Sequence, residues 1–258
     1  MDHLDLLIDL HRDGERQGPG GDAETELALQ LAGVDRAAPL KLADVGCGTG
    51  ASTLLLARLL PNARITAVDR LPEFLAVLEG RARQQGVAGA ITPCAVSMDN
   101  LPFADGELDV IWSEGAIYNI GFARGIAEWR RFLKPGGVLV VSEITWTTAS
   151  RPADLQRHWQ TEYPEIDLAS TKIGQLEQHG YAPIGYVVLP HHCWLDHYYR
   201  PLQARFDAFL RRHGHSEAAR AIVSAEEHEI QLYETHGSHF GYGMYVARRS
   251  ERPRLLGS

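Results

Sequence analysis

Lysine, cysteine and long apolar runs are all scarce in this chain of 258 residues, and each scarcity excludes a class of function. Lysine occurs only at Lys41, Lys134 and Lys172, so arginine supplies nearly all of the 25 basic residues, which 33 acidic ones outnumber. The net charge of −8, with no basic cluster visible apart from short pairs such as Arg130-Arg131 and Arg211-Arg212, argues against a nucleic-acid partner. The three cysteines, Cys47, Cys94 and Cys193, are odd in number and far apart. They suggest neither a disulfide framework nor a paired-cysteine zinc site, and they suit a reducing cytoplasm. No apolar run approaches the roughly 20 residues of a membrane span. The acidic, amphipathic start MDHLDLLIDLH sets Leu4, Leu7 and Ile8 on one helical face and lacks a basic leader and cleavage site, so no signal peptide is expected.

What the chain does have is ordinary hydrophobic content, 45%, and a length that suits one large α/β domain or two small ones. Its densest pattern is LADVGCGTG, Leu42 to Gly50, followed by the leucine-rich run Ser52 to Leu60 and Pro61. That reads as a buried strand, a glycine turn and a helix, a unit in which ligand atoms approach bare backbone. Two cofactors use such turns. Gly46, Gly48 and Ala51 satisfy the relaxed dinucleotide fingerprint, whereas Asp44, Gly46, Gly48 and Gly50 satisfy D-x-G-x-G-x-G. A pyrophosphate wants amides and no nearby anion; the ammonium of an amino-acid moiety wants a carboxylate, and Asp44 favours that cation.

Further along, Arg64 to Val68 forms a short strand ending in Asp69, placed 23 positions after Gly46 where ribose hydroxyls are held in Rossmann-like folds. Pro72 opens the next helix, with Phe74, Leu75 and Leu78 inward. Residues 90–95 make a weaker strand. Leu108 to Trp112 is a buried strand that delivers Glu114, Tyr118 and Asn119 to its carboxyl end, where ligands sit in open α/β sheets, so these are substrate candidates. Glu114 is read as a base, as a helix cap or as a cofactor contact. Asp22 reads as an N-cap, with Ala23, Leu27 and Leu31 on one face. Trp129 belongs to a helix packed on the sheet. Val138 to Glu143 is the fifth strand, Pro183 to Leu189 the sixth and residues 240–247 the last. Trp146 falls just beyond strand five, at the mouth of the site.

Residues 190–239 are then an insertion of about 50 residues that holds most of the unusual chemistry: His191, His192, Cys193, Trp194, His197, Tyr198, His228 and Glu229. No regular zinc spacing appears, and no metal is assigned. A lid whose aromatics and histidines line a substrate pocket is the functional reading. His228 shares a helical side with Ala221, Ala225 and Leu232, as a core histidine or a pocket residue.

LADVGCGTG, ITAVD, MDNLPF, LDVIWSEG and LKPGGVLVVSE occur in one order and spacing over residues 38–146. In this the chain resembles class I S-adenosylmethionine (SAM) dependent methyltransferases of the UbiE-like small-molecule group. The resemblance implies a Rossmann-like α/β fold with a seven-stranded, mostly parallel sheet and an antiparallel last strand. It also implies a single domain over 1–258: an N-terminal helical cover (1–36), a core (38–189 and 240–249) and a helical insertion between strands six and seven. SAM would be the cofactor and S-adenosylhomocysteine the product. Arg16, Asp44, Gly46, Cys47, Gly48, Gly50, Asp69, Arg70, Met98, Asp99 and Ser113 would contact it, with Met98 packing on the adenine and Asp99 accepting its amino group. Tyr118, Asn119, Trp146, Trp194 and Tyr198 would contact a small-molecule acceptor. Glu114, His197 and His228 are the candidate bases, in that order, because transfer to a protic acceptor needs proton removal. Cys47 is a small cofactor neighbour and no nucleophile. Other readings are a non-catalytic SAM-binding module, a nicotinamide oxidoreductase and a SAM-consuming enzyme of another reaction type such as a cyclase. The sequence sets no oligomeric state; a homodimer is compatible with it.

Overall fold

The computed structural model describes residues 3–251, and its apolar runs assemble into a mixed eight-stranded sheet. Two helices come first, α1 (His3–His11) and α2 (Asp22–Ala32). A Rossmann-like series follows: β1 (Lys41–Val45), α3 (Ala51–Leu59), β2 (Arg64–Asp69), α4 (Pro72–Gln84), β3 (Ile91–Ala95), β4 (Leu108–Ser113), α5 (Phe122–Trp129) and β5 (Leu133–Trp146). Next are α6 (Ala153–Glu162), β6 (Asp167–Leu168), α7 (Ala169–Gln178) and β7 (Tyr181–Val188). The insertion contributes α8 (His191–Trp194), a π-helical turn over Leu195–Tyr199, α9 (Arg200–Arg212) and α10 (Glu217–His236), before β8 (Phe240–Arg249) closes the sheet.

Across the sheet the order is β3-β2-β1-β4-β5-β8-β7, with the two-residue β6 pairing beside the end of β5. That short β6 is the strand beyond the expected seven. β3, β2, β1, β4 and β5 pair in parallel, and β8 runs antiparallel between β5 and β7. Because strand side chains alternate, Leu42, Val110 and Trp112 enter one apolar layer while Ala43, Ile111 and Leu139 enter the other. The first layer takes in α2, α3, α4 and the insertion; the second takes in α5 and α7. Strand order reverses between β1 and β4, which opens a crevice at their carboxyl ends.

Three local expectations differ from the structure. Gly21, in extended backbone, is the N-cap of α2 and no side chain caps that end, so Asp22 is the first helical residue. The buried face of α2 is Thr25, Ala28, Leu29 and Ala32, and Leu27 is exposed, because the helix lies on β7 and β8. In α10 the buried face is Ile222, Val223, Ile230 and Tyr233, which turns His228 outward toward His158.

A buried ion pair docks α7 against the sheet. Lys172 Nζ is 2.8 Å from Glu143 Oε1, both side chains are 0% exposed, and the ammonium lies 4.6 Å from the Phe122 ring centroid. Burial pushes Glu143 up to about 7, against the opposing pull of Lys172. Removing one partner leaves an uncompensated buried charge, so Lys172→Ala should lose about 3–5 kcal/mol of stability. Urea denaturation should place the double variant Lys172→Met with Glu143→Leu nearer wild type than the single variant.

Candidate functional site

The glycine turn between β1 and α3 is held entirely from within. Gly46 N and Cys47 N donate to the Val68 carbonyl (2.8 and 3.0 Å), and Gly48 N donates to Asp69 Oδ2 (2.8 Å). Thr49 N donates to Gln17 Oε1 (2.9 Å) and Gly50 N to the Cys47 carbonyl (2.9 Å). Five consecutive amides are thus satisfied by protein. Gly46, at φ +75°, is a close-approach position, since a Cβ there would come within 2.3 Å of Ala116 Cβ. Gly50, at φ +92°, has the Leu78 side chain beneath it and faces the core.

Asp69 lies at the end of β2, and its other oxygen accepts from Leu71 N at 2.9 Å. Burial raises its pKa, opposed by the amides of Leu71 and Gly48. Asp44 is 0% exposed and accepts from the hydroxyls of Ser52 (2.8 Å) and Thr53 (2.5 Å), while its Oδ1 has no hydrogen-bond partner. Burial pushes Asp44 up to about 7, and Glu114 and Asp69 add to the rise. Asp44 therefore supports the turn from behind and adds negative potential. The Cys47 thiol is held well above its ordinary value by burial, then by Asp44 and Asp69, so it is an unreactive neighbour.

A cavity of about 580 Å³ opens from this turn across the switch point. Gly46, Gly48, Asp69, Arg70, Met98 and Asp99 line its sheet end, and Tyr118, Asn119 and Tyr198 line it further out. Asp99 is exposed and its pKa is lowered by the Ser97 side chain. A recess of about 60 Å³, lined by Arg16, Cys47, Ser52 and Glu114, shares Gly46, Gly48 and Gly115 with the cavity.

Other expected residues lie elsewhere. Glu114 is a clasp: Oε1 accepts from Thr25 Oγ1 (2.7 Å) and Trp112 Nε1 (2.8 Å), and Oε2 faces Arg16 at 3.4 Å. With both oxygens taken by donors it is not placed as a free base. His197 turns to the N-terminal loop, where Nδ1 is 2.8 Å from the Gly20 carbonyl. His228 is exposed, and neither histidine lines the cavity. Trp146 is buried under Phe240, with the Arg151 guanidinium 4.2 Å from its ring centroid. Trp194 is stacked between Tyr233 and Tyr242. Ser113 is fully buried in the sheet.

The far wall holds groups that the sequence left unassigned. Leu4, Leu7, Ile8 and His11 of α1 line the cavity together with Glu226 and Glu229 of α10. His11 Nε2 is 3.0 Å from Glu226 Oε1, and Tyr199 Oη donates to Glu229 Oε1 at 2.9 Å. Protein surrounding Glu229 raises its pKa, as does Glu226, although the side chain is reachable from the cavity. The apolar face Leu4, Leu7, Ile8 was visible in the sequence; nothing there linked it to residues more than 200 positions away.

The sheet order and the crevice define a Rossmann-like α/β architecture. Residues 42–137 match the family model described as a methyltransferase domain. The malonyl-[acyl-carrier protein] O-methyltransferase of Dechloromonas aromatica is 34% identical over 138 residues, 50% of this chain and 48% of that protein. The chain spans about half the length, or less, of the curated relatives it matches. Among solved structures, the [4+2]-cyclase SpnF is 25% identical, with a TM-score of 0.71, over 89% of this chain and 81% of its own. A SAM-dependent methyltransferase from Geobacter sulfurreducens in complex with S-adenosyl-L-homocysteine has the same fold, with a TM-score of 0.80 and 18% identity over 95% and 96% of the two chains.

Asp44 generates a test of the electrostatics. Its folded pKa lies above the unfolded value of 3.8, so the folded state holds the extra proton between about pH 4 and about 7. Its contribution to stability is complete at low pH and is lost as pH rises through that window. Urea midpoints of wild type should fall from pH 5 to pH 8, and Asp44→Asn should show a smaller fall.

Proposed function

We propose that this protein transfers a methyl group from S-adenosylmethionine to a protic small molecule held between α1 and the insertion. The observation that carries the reading is the glycine turn whose amides are all satisfied, set among Asp44, Asp69 and Glu114. An anion such as a pyrophosphate finds no free donor among those five amides and meets three carboxylates; a cationic cofactor is favoured there. Arg16, in the adjoining recess, is suited to a cofactor carboxylate, Asp69 to ribose hydroxyls and Met98 with Asp99 to an adenine.

Bound there, S-adenosylmethionine would supply an electrophilic methyl group on a sulfonium, with sulfur as the leaving atom for in-line attack by the acceptor. The chain's own residues align the acceptor and exclude water. Leu4, Leu7 and Ile8 hold an apolar portion, Tyr118 and Tyr198 flank it, and Glu229 takes the proton released by the acceptor. Surroundings that raise a carboxylate's pKa make it a stronger base for that task than an ordinary surface carboxylate. The insertion acts as a lid, since it supplies Tyr198, Glu226 and Glu229 to the cavity. Three free cysteines support a cytoplasmic setting. Among the described residues, no helix is long and apolar enough to cross a membrane.

A second reading, ring closure without methyl transfer, has one observation in its favour, the likeness to a [4+2]-cyclase. Incubation with methyl-labelled SAM and a panel of acceptors separates the two, because only methyl transfer moves label into product.

Calorimetry should show binding of S-adenosylhomocysteine and none of NADH; the reverse result would overturn the cofactor reading. Glu229→Gln should lower kcat by about 10²–10⁴ while leaving cofactor affinity near wild type. An unchanged kcat would remove Glu229 from the proton path.

A further inference from the structure

The segment from His191 to Tyr199 contains a second cluster of chemistry, away from the cavity floor. An α-helix turns by about 100° per residue, so residues five apart diverge by about 140° around the axis. The π-helical turn over Leu195–Tyr199 alters that phase, and π turns are frequent at functional sites. The rings of His192 and His197 meet with centroids 5.0 Å apart, and one ligand atom from each of His192, Cys193 and His197 lies within 4.8 Å of the others.

A carboxylate from the other end of the chain stands beside these three residues. Glu24, in the first turn of α2, has Oε1 3.2 Å from His192 Nε2 and shares a hydrogen bond with the Cys193 thiol. Its Oε2 is buried with no hydrogen-bond partner. A buried carboxylate oxygen left unpaired is costly, and a cation held among these groups would satisfy it. Gly21 makes the approach possible, because a Cβ there would stand 2.1 Å from Glu24 Oε2 and 3.1 Å from His197 Nδ1. The Gly20 carbonyl can only accept, so His197 Nδ1 donates to it and Nε2 is the ring nitrogen left to face a metal. Metal-bound histidines are usually oriented in this way by a carbonyl or carboxylate on the opposite nitrogen.

We propose that Glu24, His192, Cys193 and His197 bind a zinc-like divalent transition metal ion, tying the N-terminal cover to the insertion. Two imidazoles, one thiolate and one carboxylate make a four-coordinate set suited to Zn²⁺. On binding, the Cys193 thiol loses its proton to solvent, and thiolate plus carboxylate neutralise the dication. The site is closed by protein ligands and is structural. It fixes the start of the π turn, and with it Tyr198 at the cavity wall.

The test uses the full chain equilibrated with Zn²⁺, or separately with Co²⁺, then freed of unbound metal. We expect one metal per chain by mass spectrometry, a Co²⁺ spectrum with a thiolate charge-transfer band and tetrahedral-strength visible bands, and a rise in Tm on Zn²⁺ addition. His192→Ala, at an exposed position, and Glu24→Gln should each weaken Zn²⁺ affinity at least tenfold and diminish the Tm rise. Cys193→Ser should abolish the charge-transfer band; if that buried substitution prevents folding, the wild-type Co²⁺ spectrum and His192→Ala decide. Substoichiometric retention, a Co²⁺ spectrum with no sulfur band, or unchanged affinity in His192→Ala would overturn the site. None of these readouts depends on methyl transfer.

Discussion

The hydrogen bonds of the Asp69 carboxylate fix the shape of the site. One oxygen accepts from Gly48 N and the other from Leu71 N, so one side chain ties the end of β2 both to the glycine turn after β1 and to the entry of α4. Two parallel strands and the helices that follow them therefore meet the crevice in one geometry. With Val68 O taking the amides of Gly46 and Cys47, the turn has no need of a ligand to satisfy its backbone. Such a turn presents close-packed glycine backbone and negative potential, whereas a dinucleotide turn presents open N–H groups.

The same arrangement explains the fate of Glu114. A carboxylate at the carboxyl end of β4 resembles a catalytic group in sequence, but tertiary packing brings it Thr25 from α2, the indole of Trp112 and Arg16. Its charge is spent in drawing the N-terminal cover down over the turn. Gln17 works alongside it, accepting from both the amide and the hydroxyl of Thr49. Arg81 reaches from α4 to the Gly14 carbonyl at 2.9 Å, so the cover is held from both sides of the turn.

What the sequence made legible was whatever depends on neighbours along the chain. The strand runs, the glycine spacing, Asp69 at a strand tip and the bounds of the insertion all follow from short-range patterns. Gly46, Gly48, Asp69, Arg70, Met98, Asp99, Tyr118, Asn119 and Tyr198 do line the cavity. Trp146 and Trp194 misled because an aromatic after a strand serves a core as well as a pocket, and here Phe240, Tyr233 and Tyr242 surround them. His228 misleads because alanines at helical spacing suggest a buried side for α10, where Ile222, Val223, Ile230 and Tyr233 hold that place. Lys172, buried against Glu143, carries no local sign of its partner 29 residues away.

The outer end of the cavity depends on a longer-range condition. Helix α1 has nine residues, fewer than an isolated helix needs to be stable in water. Leu6 and Leu10 anchor it in the core, while Asp9 pairs with Arg212 and His213 at 2.8 Å each. Arg205 donates to the Leu10 carbonyl, and His11 meets Glu226. Each of these partners lies in α9, the turn that ends it, or α10, so α1 acquires its order from the insertion and in turn supplies Leu4, Leu7 and Ile8 to the shared cavity. The apolar wall and the acidic wall therefore form together, from chain segments about 200 residues apart, without altering the glycine turn that both of them face. A sheet of this kind can keep one turn geometry at its crevice while its N-terminal cover and the insertion between β7 and β8 reshape the outer walls.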